Sequence, residues 1–75
     1  MRSNFEFTII VPQSWDYCAA DLMKLYAKNG RGARFYYYDG RAILEVNGTK
    51  YTYDHWNIKK NKDGREIVTV YLAEK

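Results

Sequence analysis

Two dipeptides, Asp39-Gly40 and Asn47-Gly48, constrain this chain more than any other feature of it. Each is flanked by residues of high strand propensity. Each has the composition of a two-residue type I′ turn, which needs positive φ at both central positions. Together they index three strands against one another. Centring the first turn on Asp39-Gly40 pairs Tyr38 with Arg41, Tyr36 with Ile43 and Arg34 with Glu45. Centring the second on Asn47-Gly48 pairs Glu45 with Lys50, Leu44 with Tyr51 and Arg41 with Asp54. Opposite charges then face each other at three places, which is the favourable cross-strand arrangement.

The same register sorts side chains by face, because successive residues of a strand point in opposite directions. One face collects Ala33, Phe35, Tyr37, Ala42, Leu44, Val46, Tyr51, Tyr53 and His55, with no Asp, Glu, Lys or Arg. The other collects Arg34, Tyr36, Tyr38, Arg41, Ile43, Glu45, Lys50, Thr52, Asp54 and Trp56. Burying unpaired charge costs several kcal/mol, so the first face is the one to be covered.

A helix is available to cover it. Trp15, Cys18, Ala19, Leu22, Leu25 and Tyr26 fall in one arc at helical periodicity, opposite Tyr17, Asp21, Lys24 and Lys28. Ser14 has the chemistry of an N-cap, Asp16 sits in the expected first turn, and Asn29-Gly30 supplies a stop. The predicted helix has about fourteen residues. Before it, Phe5, Phe7, Ile9 and Val11 alternate along a strand that Pro12 ends.

After it, Arg65 to Ala73 form a last strand beyond the turn at Asn61-Lys62-Asp63-Gly64. Its register is open at this point. A four-residue loop puts Val68, Val70 and Leu72 on the helix side, and a three-residue loop with a glycine bulge puts Ile67 and Tyr71 there. The first is preferred because three aliphatic residues fill a core better. The expected fold is α+β, a single β-α-β-β-β-β domain over 1–75. One helix packs on a five-stranded, mainly antiparallel sheet of order 2-3-4-5-1, with the second strand at an edge.

A chain of 75 residues holds one small core and needs no staples to fold. Its single cysteine forms no internal disulfide, and no run of about 20 apolar residues is present to span a bilayer. With no apolar leader at its start either, the expectation is a cytoplasmic domain without a membrane role. The formal charge of +3 permits an anionic partner without demanding one.

Chemistry-bearing residues are sparse. Zinc sites want four Cys or His ligands, and the chain has only Cys18 and His55, so neither a metal nor a cofactor is expected. Cys18 belongs to the buried helix stripe, where it reads as a small hydrophobe. His55 lies beside Asp54, but neighbours in a regular strand point apart, so no Asp–His dyad is expected. The chain is therefore not read as an enzyme.

What remains is an open sheet face. Tyr36, Tyr38, Ile43 and Trp56 stand on it with Arg34 and Arg41, and Lys59, Lys60, Lys62 and Arg65 cluster further along. Tyr, Trp and Arg are the residue types of protein hot spots. The leading expectation is a protein-binding module, an inhibitor of the economical kind used by phages and mobile elements. It would act by occlusion through this face and the second-strand edge, which could also carry a homodimer. The alternative is a single-stranded nucleic-acid binder that stacks bases on the same aromatics and holds phosphates with the Lys-rich 59–65 loop.

Overall fold

The structure, a computed structural model, describes residues 4–12, 15–30 and 32–75. Its elements are β1 (Asn4–Val11), α1 (Ala19–Asn29), β2 (Ala33–Tyr38), β3 (Arg41–Val46), β4 (Thr49–Lys60) and β5 (Glu66–Glu74). They form one five-stranded sheet of order β1-β5-β4-β3-β2, antiparallel at every pairing. This is the α+β arrangement and the strand order expected from the sequence.

Both dipeptide turns form as their composition requires. Asp39 and Gly40 have φ of 54° and 75°, and Asn47 and Gly48 have φ of 51° and 88°. The ladders they set are Tyr36↔Ile43 and Arg34↔Glu45 on one side of β3, and Leu44↔Tyr51 and Glu45↔Lys50 on the other. The expected Arg41–Asp54 pairing does not form, because the β3–β4 ladder ends at Ile43↔Thr52.

The core lies between α1 and one sheet face. Leu22 and Met23 of the helix meet Leu44, Val68, Val70 and Leu72, all essentially inaccessible, with Phe7 and Val11 arriving from β1. An aromatic group closes one end of it: Tyr26 stacks on Phe7 at 4.6 Å, and Phe5 lies 5.3 Å from Tyr51.

The helix is shorter than its periodicity predicts, and its first turn lies elsewhere. The N-cap is Cys18, in extended conformation, and its backbone N–H donates to Asp21 Oδ2 at 3.0 Å. The expected cap, Ser14, lies outside the described residues. Residues 15–18 are not helical because tertiary contacts outweigh weak local propensity. Trp15 stacks on Tyr17 at 5.7 Å, Tyr17 meets Trp56 edge-on at 5.6 Å, and the Tyr17 hydroxyl donates to Glu66 Oε1 at 3.1 Å. Two corrections follow. Cys18 is exposed, as a residue outside the helix, and the buried stripe is turned toward Met23.

The largest departure is a β-bulge in β4. Tyr53 opposes Leu72, yet His55 opposes Tyr71, so Asp54 is an extra residue in the strand. Every later side chain of β4 changes face. Trp56 opposes Val70 on the helix side, half-buried against the core, and His55 moves to the open side.

The bulge also resolves the last hairpin. Gly64 N–H donates to Asn61 O and Asn61 N–H to Arg65 O, around a Gly64 of φ 81°. This is the three-residue loop with a glycine in the left-handed region, not the preferred four-residue one. Val68, Val70 and Leu72 still face the helix, because the turn and the bulge each shift the register by one residue and the shifts cancel.

Candidate functional site

The face away from α1 is a grid of short rows across the sheet. One row runs Asn4, Ala73, Thr52, Ile43, Tyr36, and a neighbouring row holds Glu6, Tyr71 and His55. Beyond them lie Thr8, Thr69 and Asn57, then Ile10, Ile67 and Lys59. In the other direction Arg34, Glu45 and Lys50 share a row. Along β4 this face therefore presents Lys50, Thr52, His55, Asn57 and Lys59.

At the Lys50 end the side chains enclose a groove of about 280 Å³ lined by Tyr36, Tyr38, Lys50 and Lys75. Lys75 continues the ladder past β5, with its N–H donating to Lys50 O at 3.0 Å. Its side chain reaches back across β4 and β3, and Nζ stands 4.1 Å from the centre of the Tyr38 ring. Tyr36 is held in place: its hydroxyl donates to Glu45 Oε1 at 3.2 Å, and the Arg34 guanidinium lies over its ring at 5.0 Å. Arg34 Nη2 also bonds Glu45 Oε1 at 3.3 Å, so the acid in this region already has a cation. Among the described residues, no carboxylate stands within ion-pair distance of Lys50, Lys75 or Arg41.

The bulge builds a second feature. Because Asp54 is the extra residue between Tyr53 and His55, the regular alternation fails there and the side chains of Asp54 and His55 meet, with Asp54 Oδ2 2.8 Å from His55 Nδ1. The expectation that strand neighbours would keep these two apart is corrected, since it holds only for a regular strand. The His55 ring stacks on Tyr71 at 4.5 Å and 10°, and among the described residues its only side-chain hydrogen bond is the one to Asp54.

Comparison with protein-family models, with curated proteins and with solved structures finds no match to this chain. The residues themselves carry the argument.

The residues singled out from the sequence divide. Arg34, Tyr36, Tyr38 and Arg41 stand together on the open face, with Tyr38 61% exposed. Ile43 shares that face but is only 1% exposed, so it is core rather than contact surface. Its direct partners in the two flanking ladders are Tyr36 and Thr52. Trp56 points to the helix side and leaves the face altogether. Lys59, Lys60, Lys62 and Arg65 are exposed at the tip of the β4–β5 hairpin. At about 3.3 Å per residue the tip lies roughly 25 Å along β4 from the Tyr36 row.

Sequence reasoning missed Lys75, His55 and Tyr71. Lys75 lies past the last strand, where register says nothing of reach. His55 and Tyr71 depend on the bulge. Among the described residues no three of His, Cys, Asp and Glu gather as metal ligands, and no helix is long and apolar enough to cross a membrane.

Proposed function

We propose that this domain binds single-stranded nucleic acid across its open face and performs no catalysis. The observation that carries this reading is the groove of Tyr36 and Tyr38 flanked by Lys50 and Lys75. Aromatic rings that stack bases, beside cations that meet phosphates, are the two components of sequence-tolerant single-strand recognition. The Tyr38 ring face now holds the Lys75 ammonium. A base would take that face, and the ammonium would move to the phosphate. The polar line from Thr52 through His55 and Asn57 to Lys59 leads the strand toward the cationic hairpin tip.

This reading displaces the protein interface first expected of the same face. Ile43 is covered and Trp56 is turned away, which removes two of the apolar groups that interface was to use. The tyrosines and cations that remain supply the two components of single-strand binding.

Fluorescence anisotropy with a labelled twelve-nucleotide single strand tests the proposal. If Arg34, Arg41, Lys50 and Lys75 meet phosphates, the slope of log K against log salt is about −3, and affinity falls about 50-fold between 50 and 200 mM salt. Tyr38→Ala should lower affinity about tenfold, in line with one stacked base. Equal affinity for wild type and Tyr38→Ala, or no binding at micromolar protein in 50 mM salt, overturns it.

One observation favours a second reading, a protein partner bound by occlusion. β2 is an outer strand, and Tyr37 and Tyr38 on it are 59% and 61% exposed. A partner strand added there would use backbone bonds with tyrosines on either side. Capture of a partner that survives nuclease, and is lost in Tyr37→Asp, supports this reading over the first.

A further inference from the structure

β4 outruns the strand beside it. β3 accompanies it only from Val46↔Thr49 to Ile43↔Thr52, whereas β5 continues alongside to Lys60. From Tyr53 to Lys60 the β4 backbone is therefore paired on one side only. All of these residues are exposed except the half-buried Trp56. No backbone hydrogen bond outside the sheet falls on this stretch among the described residues. A long open edge is a template for another strand.

The side chains along this edge state what kind of strand fits. On the helix side stand Tyr53, Trp56 and Ile58, with Tyr53 and Ile58 41% and 39% exposed. On the open side stand His55, Asn57 and Lys59. The edge ends in cations: Lys59 and Lys60 on the strand, Lys62 and Arg65 in the turn. Of the nearby acids, Asp54 lies against His55 and Glu66 accepts from the Tyr17 hydroxyl, which leaves the exposed Asp63 of the turn against the four cations.

We propose that this edge takes an extended peptide in which acidic and aliphatic residues alternate. Strand addition gives the backbone bonds. Aliphatic side chains on one side of the peptide lie against Tyr53, Trp56 and Ile58, and acidic ones on the other meet His55 and Lys59. Edge lysines discourage a neutral strand or a second copy of a basic edge, and they admit an acidic one. This surface lies apart from the Tyr36–Tyr38 groove, shares His55, Asn57 and Lys59 with the proposed nucleic-acid path, and does not rest on the nucleic-acid reading.

The test uses the full chain and a fluorescein-labelled octapeptide of alternating Glu and Val, titrated by anisotropy at low salt with amide chemical-shift mapping. The expected result is saturable binding with shifts concentrated at Tyr53–Lys60. The double variant Lys59→Glu, Lys60→Glu, exposed and outside the core, should weaken it about tenfold. Tyr38→Ala should leave it unchanged, which separates this result from the nucleic-acid experiment. Equal binding of an alternating Lys-Val octapeptide, shifts centred on β2, or no binding at millimolar peptide each overturn the proposal. So does concentration-dependent dimerisation of the protein alone that broadens the same amides.

Discussion

Deleting Asp54 is the sharpest test of how β4 is built. With Asp54 removed, Tyr53 remains opposite Leu72, His55 opposite Tyr71 and Trp56 opposite Val70, now in an unbroken ladder. Folding no longer has to order an unpaired residue, a saving of about 1–2 kcal/mol of backbone entropy. The loss is the contact between Asp54 and His55, whose side chains are 62% and 61% exposed, and such a pair contributes about 1 kcal/mol at most. The variant should therefore lie between unchanged and about 2 kcal/mol more stable, a rise in Tm of up to about 16 °C. Deleting Asn57 is the control. If the turn at Asn61–Arg65 holds its register, that deletion places Trp56 opposite Thr69 on the open face and His55 opposite Val70 in the core. The cost is about 3 kcal/mol or more. Urea unfolding followed by tryptophan fluorescence and circular dichroism measures both. If the Asn57 deletion is as stable as the Asp54 deletion, or the Asp54 deletion does not fold, the bulge assignment is wrong.

Further outcomes follow from single sites. Ile43→Ala should cost about 2–5 kcal/mol by urea unfolding despite its position opposite the helix, because the side chain is 1% exposed. Gly32→Ala and Gly40→Ala should each cost about 1–2 kcal/mol by urea unfolding, because both residues have positive φ. A Cβ at Gly32 would also come 2.6 Å from Asn47 Oδ1, but that is the end of an exposed side chain that can turn aside. The hydrogen bond from the Cys18 backbone holds the Asp21 carboxyl below its ordinary value. Its contribution is therefore present above about pH 4 and lost as pH falls through the folded value. Asp21→Asn should flatten the acid limb of a stability–pH profile. Burial, then the bond to Glu66, raises the Tyr17 phenol above its ordinary value. That contribution is whole below about pH 10 and lost as pH rises through the folded value, so Tyr17→Phe should flatten the alkaline limb.

The middle of the fold was legible because Asp39-Gly40 and Asn47-Gly48 are strong local instructions that tertiary contacts reinforce. The pairing of Tyr36 with Ile43 and of Glu45 with Lys50 follows from them and from alternation. The inward Val68, Val70 and Leu72, by contrast, were expected from a four-residue loop that does not form, and they face the helix only because the three-residue turn and the bulge cancel. The helix start was not legible, since Trp15 and Cys18 match the helical arc, and only contacts with Glu66 and Trp56 hold this segment off it. The bulge was not legible either, because one extra residue in a twelve-residue strand leaves no compositional mark. That one residue accounts for the misplaced Trp56 and for the unforeseen contact between Asp54 and His55. Of the candidate site, Arg34, Tyr36, Tyr38 and Arg41 were readable from turn chemistry. Lys75 was not, because its role depends on reach across two strands.

A strand with a one-residue step at its middle behaves as two rulers joined end to end. Its near half takes its zero from the pair of glycine turns, and its far half takes its zero from the Asn61–Arg65 closure. A change in the length of either loop need not propagate through the whole molecule. The step can widen or vanish and leave the other ruler where it stands. The far hairpin is thus a module whose loop can be lengthened, shortened or exchanged with the groove at the opposite end left in place.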